Sequence, residues 1–160
     1  MSKKITSLFN FKKLQKFSSA LMLPIAILPA AGLILAIGIS FNIELLANCG
    51  GLIFANLPLL FCVGIVIGLT GDGSSSLSAI INYMIMNATM GTQLGITAES
   101  VAASNGDYAM ILGVPTLQTG VFGGLIVAIF VYLLYTRFHN IELPQFLGFF
   151  GGKRFVPIIT

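Results

Sequence analysis

The chain has 160 residues, 56% of them apolar and only 8% charged, with a formal net charge of +3. A soluble domain carries about 25% charged residues, so eight basic and five acidic side chains are too few to cover one of this length; an integral membrane protein is implied. Lys3, Lys4, Lys12, Lys13 and Lys16 lie at the start and Arg137, Lys153 and Arg154 near the end, with no Lys or Arg between, which excludes the basic patch of a nucleic-acid binder.

In chain order, the segment 5–17 places Leu8, Phe11, Leu14 and Phe17 on one half of a helical wheel and Lys12, Lys13 and Lys16 on the other, with Phe9 among the lysines. It reads either as an interfacial helix with its lysines near anionic headgroups or as a positive flank to the first span. Span one is predicted over 18–41, long enough for a ~30 Å hydrocarbon core, with Pro24 and Pro29 inside it as kink sites. Span two is predicted over 51–70, interrupted by Asn56 and Pro58 in its first half. Gly64 and Gly68 in its second half form a small-residue face of the kind that lets helices approach closely in lipid. The sequence TGDGSSSLS then reads as a turn, with Asp72 solvated in it.

Span three, over 74–95, is the least apolar. Ser78, Asn82 and Thr89 fall within about 40° of one another on its helical wheel. They line a polar route or make hydrogen bonds to neighbouring helices. A polar connection over 92–115 carries Glu99 and Asp107, and span four is predicted over 116–136, with Tyr132 and Tyr135 at headgroup depth and Arg137 closing it. The segment 137–154 reads as a short interfacial helix with Phe146, Phe149 and Phe150 dipping into the headgroup boundary, and 155–160 as the start of a fifth span. The fold class expected is therefore all-α integral membrane: four transmembrane helices, interfacial helices at both ends and the beginning of a fifth span.

Charge parity supports the count. Cytoplasmic loops collect Lys and Arg, and with four spans all eight basic residues lie on the cytoplasmic side. Lys12, Lys13, Lys16, Arg137, Lys153 and Arg154 are then the residues that set topology. Glu44, Cys49 and the 92–115 connection face outward and Asp72 inward.

Nothing in the chain assembles a self-contained active site. There is no GK[ST] phosphate loop, and His139, the single histidine, has neither a zinc-ligand partner nor a Ser–His–Asp arrangement around it. Cys49 and Cys62 have no metal spacing and no second pair, and Cys62 sits in an apolar run as a small hydrophobe. No catalytic, substrate-binding or metal residue and no cofactor is expected, which leaves transport or assembly.

Three blocks resemble one family. They are LQKFSSALMLPIAILPAAGLILAIG (14–38), GGLIFANLPLLFCVGIVIGL (50–69), and TGVFGG (119–124) with RFHNIELPQFLGFFGGKRFVPI (137–158). The family is the membrane (C) component of the glucose-family permeases, covering glucose, maltose and N-acetylglucosamine, of the bacterial phosphoenolpyruvate-dependent sugar phosphotransferase system. The resemblance implies a multi-pass homodimer in the inner membrane that carries a sugar inward and releases it phosphorylated. The phosphate comes from a phosphocysteine on a cytoplasmic B domain, itself charged by an upstream phosphate carrier. It also implies that the first half supplies scaffold and dimer interface, and a second half holds the sugar. LGITAES (94–100) is similar to the GITE sugar-binding loop of that second half, but Ala98 splits Thr97 from Glu99 and the loop faces outward, so the likeness is read as coincidence. The chain is expected to be the N-terminal part of such a permease. The alternative is a free-standing four-span membrane protein, a small transporter or an assembly partner.

Overall fold

The computed structural model describes residues 11–141 and 144–160. Within them α1 spans Phe11–Ser40, α2 Glu44–Ala55, α3 Leu57–Thr70, α4 Gly73–Gln93, α5 Ala98–Ala103, α6 Gly120–Phe138 and the short α7 Val156–Ile159. An antiparallel hairpin of β1 (Tyr108–Ile111) and β2 (Val114–Leu117) precedes α6, and two 3-10 turns, Gln145–Phe150 and Gly152–Phe155, precede α7. The expectation of an all-α chain is thus corrected to a mostly helical one with a small two-stranded sheet.

By length and composition α1 (from Gln15) and α6 are candidate membrane spans, and α2 with α3 makes a third if the pair, bent by 58°, crosses as one. The N-terminal helix runs unbroken past residue 17 with both prolines inside it; Lys3, Lys4 and residues 5–10 lie outside the described residues. A turn at 41–43, in which Asn42 takes a left-handed conformation, reverses the chain. Asparagine tolerates that region better than most residues. Helical structure then resumes at Glu44, earlier than the predicted boundary at 51, because Gly38 packs on Ala47 and Gly50 on Leu35, zipping α1 and α2 together.

The break between α2 and α3 falls on Asn56. Pro58 lacks the N–H that would continue the helix and its ring crowds the preceding turn. The Asn56 side chain donates to the Leu52 carbonyl at 2.8 Å, taking up one acceptor near the break. Gly124 of α6 lies directly against the Pro58 carbonyl, so the bend is seated on another helix.

The core gathers around α3. Cys62, Ile65, Val66 and Leu69 pack with Ala20 of α1, Ala79 and Tyr83 of α4, and Val127, Ala128 and Val131 of α6. The small-residue face finds its partner here: Gly68 meets Ala20 and Gly64 meets Pro24, an antiparallel pairing of α3 with α1. A methyl group on Gly68 would sit 2.5 Å from the Ala20 Cβ.

Two boundaries need correction. Residues 116 and 117, predicted as the start of span four, belong to β2, and α6 begins at Gly120. The 92–115 connection is not irregular: Thr97 and Ser100 cap α5 reciprocally, and Leu112–Gly113, both at positive φ, close the hairpin with Ile111 opposite Val114. That pair of conformations is the tight hairpin turn that matches strand twist. Gly91 lets the Pro115 carbonyl press on α4. Likewise 137–154 is not one helix. The spanning helix α6 runs to Phe138, and Gly151 and Gly152 separate two 3-10 turns between α6 and α7, with Gly152 at positive φ. Phe149 is exposed; the side chains of Phe146 and Phe150 lie outside the described set.

Candidate functional site

The main junction of polar side chains lies where α3 ends and α4 begins. Gly71, at φ +70°, closes α3 in the left-handed conformation that glycine adopts freely, its N–H donating to the Ile67 carbonyl at 2.7 Å. Asp72 follows in extended conformation as the N-cap of α4. Its carboxylate accepts from the Ser74 N–H at 3.4 Å and the Ser74 hydroxyl at 3.0 Å. An aspartate here also faces the positive end of the α4 dipole.

Two distant segments converge on the same carboxylate. The Tyr135 hydroxyl, from the last turns of α6, donates to Asp72 Oδ2 at 3.1 Å. The Lys153 ammonium lies 3.7 Å from that oxygen. Beneath it, the Ser75 hydroxyl donates to the Asp72 carbonyl at 2.6 Å and lies 2.5 Å from the Thr70 hydroxyl. Partial burial pushes the Asp72 carboxyl up, but the bonds from Ser74 and Tyr135 and the charge of Lys153 outweigh it and hold the group below its ordinary value of 3.8. The solvated turn expected of Asp72 is therefore corrected: its side chain is 17% exposed and fastens three elements.

His139 is occupied in the same neighbourhood. Its ring stacks on Tyr135 with centroids 5.0 Å apart, and Nδ1 lies 2.9 Å from the Tyr135 carbonyl. Among the predicted topology residues, Lys153 joins Asp72, Arg154 lies over the Phe149 ring at 5.1 Å, and Arg137 is exposed in the last turn of α6. Lys12 and Lys13 lie in the first turn of α1, and Lys16 one turn on is exposed. The structure brings only Lys153 into a defined ion pair among the described residues. Asp72 itself was legible as an N-cap, a short acidic residue directly before a serine-rich helix start. Its partners were not, being 63 and 81 positions away.

The polar face of α4 is resolved differently from expectation. Ser78 and Asn82 are buried, but Thr89 is exposed. Their side chains donate to carbonyls one turn back in their own helix, Asn82 to Ser78 at 2.9 Å and Thr89 to Ile85 at 2.7 Å, rather than to neighbouring helices. Asn87 does the same to Tyr83, and its Oδ1, buried near the hairpin, has no partner among the described residues. Cys62 is fully buried, with Sγ 3.8 Å from the Ala79 carbonyl, and Cys49 is exposed. No group of three His, Cys, Asp or Glu is placed to hold a metal among the described residues. The junction is thus a fastening between helix ends, with charge, hydrogen bonds and no reacting group.

A helical membrane protein whose chain ends are basic and whose polar groups serve helix ends has the character of a permease component. The sequence matches the family described as Phosphotransferase system, EIIC, over residues 18–160, and the chain belongs to that family. It is 46% identical, over 93% of its length, to the PTS system glucose-specific EIICBA component of Staphylococcus saprophyticus subsp. saprophyticus. The chain spans about a quarter of the length of that relative, 25%. The relative's name joins a C, a B and an A component in one protein.

Proposed function

We propose that the chain is the N-terminal membrane part of a permease that takes up a glucose-type sugar and phosphorylates it, and that it supplies scaffold and dimer interface. The B domain that would donate the phosphate from a phosphocysteine, its upstream carrier and the sugar-holding half all lie outside this chain. The free-standing alternative is less favoured because the matched relative is four times as long. The reading has α1, the bent α2–α3 pair, α4 and α6 as four spans, the N-terminus cytoplasmic, and 155–160 as the entry to a fifth.

The observation that carries this arrangement is the Asp72–Tyr135–Lys153 junction. It gathers the α3–α4 turn, the end of α6 and the GGKR segment at one end of the bundle. Ala20, packed on Gly68, brings the start of α1 to the same end. A return to that end between Asp72 and Tyr135 needs two crossings, and the 21 residues of α4 reach about 31 Å at 1.5 Å each, enough for one of them. All basic residues then share a side, as charge parity asks.

Reporter fusions at 72, 104 and 139 test the topology: 72 and 139 should report cytoplasm and 104 the outside. A cytoplasmic 104 would remove α4 from the spans. For the activity, the 160 residues expressed with the phosphate-donor proteins in an uptake-deficient strain should not restore glucose or maltose uptake. Restored uptake with phosphorylation would overturn the assignment of a scaffold role.

A further inference from the structure

A groove of about 280 Å³ runs between α4 and α6, lined by Asn82, Ile85, Met86, Ile126, Val127 and Phe130. It lies open: Ile85, Ile126 and Phe130 are all half or more exposed. One lining group does not suit lipid. Asn82 is 9% exposed, its amide N–H bonds to the Ser78 carbonyl, and no hydrogen bond reaches its Oδ1 among the described residues. An acyl chain cannot donate to that oxygen, and an unpaired amide at membrane depth is costly.

The short helix α7 starts at the head of this groove. Lys153, three residues before it, is held on Asp72, the cap of α4. Val156 is fully buried, and α7 packs on both α4 and α6, the two helices that form the groove. Both α4 and α7 leave the same end, so they run in the same direction. The Thr160 N–H still bonds to the Val156 carbonyl at 3.1 Å, so the helical turn is intact at the last residue.

We infer that the α4–α6 groove is the seat of the continuation of α7 in the longer protein, where a side-chain hydroxyl or amide donates to Asn82 Oδ1. The inference rests on the reading of this chain as the first part of a permease. If Lys153 sits level with Asp72, a helical rise of 1.5 Å per residue brings the continuing helix level with Asn82–Met86 roughly three to seven residues beyond Thr160. A second copy would have to reach the groove past α7, which already occupies its head.

The test is photo-crosslinking in the full-length gene product, with Ile85, Ile126 and Phe130 replaced one at a time by p-benzoylphenylalanine. All three side chains are already exposed, so the replacements need no room in the core. Leu33, exposed on α1, is the control position. Adducts mapped by mass spectrometry to the roughly ten residues after Thr160, several-fold more abundant than from Leu33, are the expected result. Adducts to lipid, to a second copy or to a remote part of the chain would overturn the inference and leave the permease reading standing. A gene product that stops at Thr160 would overturn both.

Discussion

Asp72 does three jobs with one carboxylate: it caps α4, accepts from Tyr135 and faces Lys153. The three are unequal. Lys153 is 61% exposed, and a pair open to solvent on one side contributes less than about 1 kcal/mol. Removing the carboxylate loses the cap and leaves the nearly buried Tyr135 hydroxyl without its acceptor. Asp72→Ala should therefore cost about 1–3 kcal/mol, against less than about 1 kcal/mol for Lys153→Met, in thermal melts of the detergent-solubilised chain. The sign with pH follows from the lowered carboxyl. Its contribution is complete above the ordinary value of 3.8 and is lost as the pH falls through the lower value of the folded state. The stability gap between wild type and Asp72→Asn should stay constant from about pH 7 to about pH 5 and close below about pH 4. A gap that is unchanged at low pH would show that the charge on Asp72 is not what fastens the junction.

At the scale of elements, glycine decides which helices touch. Gly68 and Gly64 bring α3 onto Ala20 and Pro24 of α1, and Gly38 and Gly50 bring α1 onto α2. In lipid, where apolar surface gives helices little reason to associate, close backbone contact supplies the attraction. Gly68→Ala places a methyl 2.6 Å from the Ala20 Cα, and the two backbones must separate to admit it. A loss of about 1–3 kcal/mol is expected from that overpacking. Gly51, inside α2 with nothing within 4 Å, is the control: Gly51→Ala should be neutral or stabilise by about 0.5–1 kcal/mol, because alanine is the better helix former. Melting temperatures of the two variants, side by side, check both. Equal effects would mean that the α1–α3 contact is not tight.

Across the whole molecule, little of the most apolar surface is internal. Only 17% of the most apolar stretch of α1 and 33% of that of α6 is buried, and Met22, Leu33, Ile39 and Leu52 stand exposed on α1 and α2. Lipid satisfies such faces, and so does a second protomer. The scaffold reading predicts the second for α1. With the exposed Cys49 changed to serine, Leu33→Cys in native membranes should give a dimer with a short bis-maleimide, while Phe122→Cys on α6 should not. Monomer from the Leu33 variant, with Phe122 crosslinked instead, would move the dimer interface to α6.

The sequence by itself determined that the chain is a membrane protein, where α1 and α6 run, and where α3 stops and α4 starts. These are local matters: an apolar run long enough for the bilayer, a glycine free to turn, an aspartate able to cap. It also carried the family, in the GGKRFVPI wording that now contains Lys153 and the start of α7. Only the tertiary structure decided what those elements meet. The spans α3 and α6 are apolar on every side, so no hydrophobic stripe marks which face packs. Gly68 could be read as small but not as the partner of Ala20. The α5–hairpin segment was missed because its strands are four residues each, too short to show a period beside a long polar loop. Asp72 looked solvated because its hydrogen-bond donor, Tyr135, lies 63 residues away, a distance that only folding closes.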